Sequence, residues 1–205
     1  LYTRLRRFEG SAKYWDERYA RGGASGDGST GKFAEFKAEV LNGFVKRQGV
    51  QSVIEFGCGD GRQLSLATYP TYLGFDVSAE AVHLCRARFK PDDSKAFFQV
   101  DEYAGQRADL ALSLDVVYHL VEDDVFDRYM RLLFESSSRW VIVYASNHDD
   151  TDRAEASHVR HRQFTRWVET NRPDWVLRET IPNRYPYTGD FRLGSFSEFF
   201  IFERT

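Results

Sequence analysis

Glycine stands at every second position from 57 to 61 in the run Glu55-Phe56-Gly57-Cys58-Gly59-Asp60-Gly61, which begins within Ser52–Phe56, a short apolar segment rich in strand formers. Few folds have a use for such a run. Glycine accepts a left-handed backbone and lets the main chain approach a ligand closely, so a strand that ends in it and hands over to a helix forms the ligand-facing turn of an open α/β sheet. Asp76 ends the next apolar segment, nineteen residues beyond Gly57. A carboxylate there borders the same crevice and can accept hydrogen bonds from ribose hydroxyls. The competing reading is a tight turn with a surface aspartate. Order and spacing together favour the ligand site.

The rest of the chain supplies the alternation that such a sheet needs. Strand patterns fall at residues 52–56, 71–76, 96–100, 109–114, 140–145, 175–181 and 196–202. The run at 140–145 is continuously apolar, as in a strand buried on both faces. Helical spacing joins Phe33, Phe36, Val40, Leu41, Phe44 and Val45, with Ser29 or Thr30 as cap. Further helices are expected at 14–19 and 61–68, and behind Ser78 with Val82, Cys85 and Phe89 on one face. Another is expected behind Glu122, Asp123 and Asp124, with Val125, Phe126, Tyr129, Met130 and Leu133 as its stripe, and the last at Phe164, Trp167 and Val168. This predicts an α/β fold with a doubly wound, mostly parallel seven-stranded sheet and helices on both faces. Pro182, Pro186 and Gly189 separate the last two strands without a helix, so these close as a C-terminal antiparallel hairpin.

Residues 22–31 hold five of the fifteen glycines and read as a ligand-covering loop. Residues 1–32 are therefore expected to form an N-terminal helical, glycine-rich cap segment, and residues 33–205 a single domain. A length of 205 residues suits that division. Aromatic residues make up 16% of the chain, enough for a real core. A net charge of −3 argues against a nucleic-acid-binding track. Cys58 and Cys85 lack zinc spacing and cannot form a disulfide scaffold, which suggests a reducing, cytoplasmic setting. Arg4, Arg6 and Arg7 resemble a signal n-region, but no apolar stretch follows and none reaches membrane-spanning length. The chain opens on Leu1 and has one methionine, Met130, which leaves room for a longer N-terminal part.

Two nucleotide motifs fail on single residues. The dinucleotide fingerprint G-x-G-x-x-G begun at Gly57 requires glycine where Arg62 stands. Residues 26–32 approach the phosphate-binding G-x-x-x-x-G-K-[ST], but Phe33 replaces the magnesium-binding hydroxyl and no apolar strand precedes the loop.

The 55–61 motif, Asp76 and the segment Ser113-Leu114-Asp115-Val116-Val117-Tyr118-His119-Leu120 resemble the class I S-adenosylmethionine-dependent methyltransferases. The resemblance implies S-adenosylmethionine as cofactor and S-adenosylhomocysteine as product. It implies that Gly57, Cys58 and Gly59, with Glu55, lie along the methionine part, that Asp76 binds the ribose, and that Val77 packs near adenine. Asp101 matches the position that hydrogen-bonds the adenine amino group, and Leu114 and Asp115 border the sulfonium. Tyr14, Trp15 and Tyr19 resemble the aromatic element that covers the cofactor in enzymes acting on small molecules. The expected reaction is methyl transfer to an oxygen or nitrogen of a small-molecule or glycan-type acceptor. A nicotinamide-dependent reductase and a non-catalytic cofactor-binding partner domain stand as the alternatives to a methyltransferase.

Such an acceptor profits from a general base, and histidine titrates in the useful range. His119 follows the fourth strand, and His148, His158 and His161 follow the fifth, where open α/β sheets bind ligands. His119 and His161 are the candidate bases. His158 and His161 have a spacing suited to one helix face, and with Arg160, Arg162 and Arg166 form a basic patch. Of these, His158, Arg160 and Arg162 are candidates for holding an anionic acceptor. No ligand set for a metal is evident.

Overall fold

A computed structural model describes residues 10–149 and 156–205. Arg4, Arg6 and Arg7 and half of the polar 146–157 loop lie outside the described residues. One sheet contains β1 (Ser52–Phe56), β2 (Thr71–Asp76), β3 (Lys95–Gln99), β4 (Ala108–Leu114), β5 (Ser137–Ala145), β6 (Trp175–Ile181) and β7 (Glu198–Arg204). Their order is β3-β2-β1-β4-β5-β7-β6. The first five run parallel. β7 is antiparallel to both neighbours and inserts between β5 and β6. The helices are α1 (Ser11–Ala20), α2 (Gly31–Gln48), α3 (Ala79–Arg88), α4 (Asp123–Glu135) and α5 (Phe164–Asn171).

β5 shows why its sequence is continuously apolar. Trp140, Ile142 and Tyr144 pack on one face with Phe36, Leu41 and Phe44 of α2. Val141, Val143 and Ala145 pack on the other with Phe126, Met130 and Leu133 of α4 and Phe164 of α5. Alternation puts successive side chains on opposite faces, and both faces are covered. Each large apolar side chain buried this way contributes about 1.5–3 kcal/mol.

Two local expectations change. Residues 61–68 form only a 3-10 turn at Leu64–Leu66. The amide that would bond the Leu66 carbonyl in an α-helix belongs to residue 70, a proline with no N–H. Asn42 of α2 takes over, its Nδ2 donating to the Leu66 carbonyl at 2.9 Å while its Oδ1 accepts from Thr68 N at 2.9 Å. Residues 158–161 are not helical, so the His158–His161 spacing does not define a helix face. The segment is tied down instead by Arg160 N donating to the Tyr118 carbonyl at 2.8 Å. α3 follows expectation, with Ser78 Oγ accepting from Ala81 N.

Candidate active site

The glycine run turns at the end of β1. Gly57 and Gly59 have φ of 87° and 59°. A Cβ on Gly57 would lie 2.4 Å from Val116 Cγ2, and one on Gly59 would lie 2.4 Å from Ser25 Oγ. Both glycines are therefore required by backbone angle and by space. Asp76, buried at the end of β2, locks the turn from the side: its Oδ2 accepts from Gly59 N at 2.9 Å and its Oδ1 from Ser78 N at 3.0 Å. Burial raises its carboxyl above the usual range even though these backbone donors pull it down. Glu55 is buried on the floor, accepting from Tyr72 OH at 2.6 Å, and burial pushes it up to about 7.

Over this turn lies α1. Ser11 ties its start to α4, its N and Oγ donating to Glu122 at 2.9 and 2.5 Å. At its end Tyr19 OH meets Ser25 Oγ at 2.8 Å, and Ser25 Oγ donates to Asp60 of the glycine run at 3.0 Å. Trp15, Tyr19, Glu55, Gly57, Cys58, Gly59, Asp76, Val77, Leu114 and Asp115 all line the cavity beneath. Tyr14 does not line it and stacks on His158 at 4.3 Å. Asp101 is exposed and also outside this lining, where its neighbour Val100 takes part.

A second cavity, about 550 Å³, opens beside the first and shares Trp15, Ser25, Asp115 and His119 with it. Asp115 is the hinge between them. It has a φ of 60°, unusual for a non-glycine residue, and its N donates to the Tyr144 carbonyl at 2.8 Å. Its carboxylate accepts from Lys37 Nζ at 2.7 Å, Tyr118 OH at 2.9 Å and Ser197 Oγ at 3.0 Å. Lys37 is 1% exposed, and its ammonium also sits over the Tyr144 ring.

His119 lines both cavities. Its Nδ1 faces the His158 carbonyl at 3.0 Å, and a carbonyl can only accept, so Nδ1 carries the proton and the Nε2 lone pair is open. Burial lowers its pKa to about 4, so the ring is neutral. His161 is buried behind the second cavity, its Nδ1 at 2.5 Å from Ser146 Oγ and its ring 5.6 Å from Phe196. His158 lines the second cavity. Arg160 and Arg162 do not: their guanidinium groups donate to the Val121 carbonyl and pair with Asp123 at the start of α4. Among the described residues no cluster of three or more metal-ligating side chains occurs.

Sequence reasoning passed over Lys37, Arg18, Ser25 and the aromatic wall at 187–196. Lys37 had a signal. It falls on the same stripe as Phe33 and Leu41, four residues from each, where a lysine is out of place unless it has a buried partner.

The sheet order, the glycine turn and the carboxylate after β2 define a Rossmann-like, class I methyltransferase fold. Residues 54–136 match a family described as a methyltransferase domain. The N-methyltransferase NodS from Bradyrhizobium japonicum WM9, in complex with S-adenosylhomocysteine, superposes with a TM-score of 0.73 at 14% identity, covering 96% of this chain and 99% of that one. Magnesium protoporphyrin IX methyltransferase (ChlM) from Synechocystis PCC 6803 with bound S-adenosylmethionine gives 0.68 at 13% identity, covering 98% and 100%. The methyltransferase domain of a bacterial Hen1 gives 0.62 at 20% identity, covering 82% and 96%. At these identities the likeness establishes the fold. No curated protein sequence matches the chain.

Proposed function

We propose that the chain transfers a methyl group from S-adenosylmethionine to an oxygen or nitrogen of a small-molecule or glycan-type acceptor. The observation that carries this is the pair of cavities joined at Trp15, Ser25, Asp115 and His119. One is walled by the glycine turn and a buried carboxylate, and the other has the volume of an ordinary small-molecule site.

The residues present fit the cofactor. Asp76 accepts from the backbone at Gly59 and Ser78 and, as a carboxylate with about four acceptor sites, keeps capacity for a ribose hydroxyl. Val77, 40% exposed, offers an apolar surface to a base. Gly57 and Gly59 present main chain where a side chain would collide, and Cys58 lines the cavity between them. When bound, S-adenosylmethionine supplies an activated methyl, so the protein's task is to align the acceptor with it.

The chain's own residues do the aligning. Trp15 and Tyr19 of α1 exclude water from the junction. Asp115, fixed by three donors, holds the wall at the end of β4. His119 is the group placed to receive the acceptor's proton at Nε2, because its other nitrogen is already committed to the His158 carbonyl. His161, behind the wall, is the rival.

Two free, buried cysteines support a reducing, cytoplasmic setting. No helix among the described residues is long and apolar enough to cross a membrane.

The test combines calorimetry with S-adenosylhomocysteine and transfer of labelled methyl from S-adenosylmethionine into a metabolite extract. Binding, with label in low-molecular-weight products, is the expected result. No binding overturns the reading, and label confined to nucleic acid or protein overturns its acceptor class.

A further inference from the structure

We propose that the acceptor is an aromatic acid, its ring held by an aromatic wall from the β6–β7 connection and its anionic group held by Arg18 of α1. This rests on the methyltransferase reading above and names the acceptor class for the same site.

The wall comes first. Tyr187, Phe191 and Phe196 form a mutually packed set, with ring centroids 4.0 Å apart for Tyr187 and Phe196, 4.7 Å for Tyr187 and Phe191, and 5.4 Å for Phe191 and Phe196. All three line the 550 Å³ cavity, yet Phe191 remains 61% exposed. Trp15 lines the cavity as well. A planar ring inserted among these gains offset-stacked or edge-to-face contacts that an aliphatic body of the same volume does not.

The charge comes second. Arg18 is the only cationic side chain that lines this cavity among the described residues. Its Nε donates to the Ala24 carbonyl at 2.8 Å, Nη1 reaches Tyr14 OH at 3.5 Å, and the guanidinium lies 5.4 Å from the Trp15 ring centroid. A guanidinium has five N–H donors, and these contacts use few of them. The one carboxylate that lines the cavity among the described residues, Asp115, is already matched by Lys37, Tyr118 and Ser197. His119 and His158 both have lowered pKa values, mainly through burial, with Arg18 contributing to each, so neither ring adds a second positive charge. What remains is one positive charge with open donors facing a cavity of substrate size. A planar anion such as a carboxylate satisfies it in the fork geometry that arginine favours.

The two requirements also fit the reacting end. Arg18 and His119 both lie against Trp15, the imidazole at 4.8 Å. Both also line the cavity, so an acid anchored at Arg18 has His119 within the same site.

The experiment uses the full chain and a defined probe set: para-hydroxybenzoate and para-hydroxycinnamate, each beside its neutral primary amide and its ring-saturated acid. Calorimetry is run with and without saturating S-adenosylhomocysteine, whose own binding is measured separately. At least one aromatic acid is expected to bind about tenfold or more tighter than both its amide and its saturated counterpart. Arg18→Gln should abolish the preference for acid over amide, Arg18→Lys should restore part of it, and Phe191→Ala should reduce the preference for the aromatic ring. S-adenosylhomocysteine affinity reports that each variant is folded. The proposal is overturned if amides or saturated acids bind as well as the aromatic acids, if no aromatic acid binds below about 1 mM, or if Arg18→Gln keeps the acid preference. Failure to bind S-adenosylhomocysteine is a separate result, and it overturns the methyltransferase reading instead.

Discussion

The two cavities meet at four residues but are built in opposite ways. The cofactor side has a local core: the glycine turn at 57–59 and Asp76 belong to two adjacent strands and the loop between them, and α1 and the end of β4 close over it. The 550 Å³ cavity, the proposed acceptor side, is assembled from distant segments, bringing Trp15 and Arg18 together with Asp115–His119, Tyr144, His158 and the connection at 187–197. A local motif fixes its geometry through backbone angles and hydrogen bonds to neighbours. An assembled wall has its geometry only once the whole sheet has formed. The first kind of site constrains its ligand tightly, and the second is free to differ in what it accepts.

Lys37→Met breaks this comparison where the halves join. It leaves the Asp115 carboxylate without its cation, and a broken buried pair costs about 3–5 kcal/mol. With Asp115 18% exposed, the low end is expected, read as a drop in unfolding free energy in denaturant. A loss below about 1 kcal/mol would mean that Tyr118 and Ser197 suffice.

Asp76→Ala tests the local half. Cofactor binding should weaken by about 1.5–3 kcal/mol, the range for hydrogen bonds to a charged group, with fold stability reported separately. Unchanged S-adenosylhomocysteine affinity by calorimetry would remove Asp76 from the site.

His119→Ala tests the assembled half. Turnover should fall at least about tenfold while cofactor affinity stays nearly intact. His161→Ala should raise the acceptor KM and leave kcat alone. Steady-state kinetics on both variants decides, and normal turnover in His119→Ala with a dead His161→Ala reverses the roles. Because the folded His119 pKa is lowered from 6.5 to about 4, the ring stays neutral well below pH 6.5. Its contribution to stability is present above pH 6.5 and is lost as pH falls towards 4.

The smallest effect sharpens the local half again. Glu55 has a folded pKa raised from 4.5 to about 7, so its contribution favours folding below pH 4.5 and is lost as pH rises through 7. Glu55→Gln removes that dependence. Its thermal midpoint relative to wild type should therefore climb between about pH 4.5 and 7 and then level off. A flat difference would mean that Glu55 is already ionised when buried.

How much could be read in advance obeys the same division. The strands, Ser78 as a cap, the glycine turn and Asp76 were legible because each rests on residues close in sequence. The 61–68 helix fails for a local reason, Pro70 without a donor four residues past Leu66, while the group that replaces that donor, Asn42, comes from a separate element. His119 was reachable from its place after β4, but its tautomer was not, since the partner carbonyl lies 39 residues on. Arg160 and Arg162 looked like an anion site because composition shows charge and hides Asp123, their partner on another element. Lys37 was the missed opportunity, a cation in an apolar stripe.

The placement of β7 has a consequence for how the molecule is made. β5 pairs with β4 on one side and with β7 on the other, and β6 has β7 as its only partner. During synthesis the far edge of β5 therefore stays open, and residues 175–181 stay outside the sheet, until residues 198–204 have emerged. Unpaired strand edges invite association with other chains. The acceptor wall at 187–197 is held at both ends by these same late pairings. The nascent chain can thus form the glycine turn first and complete the 550 Å³ cavity last.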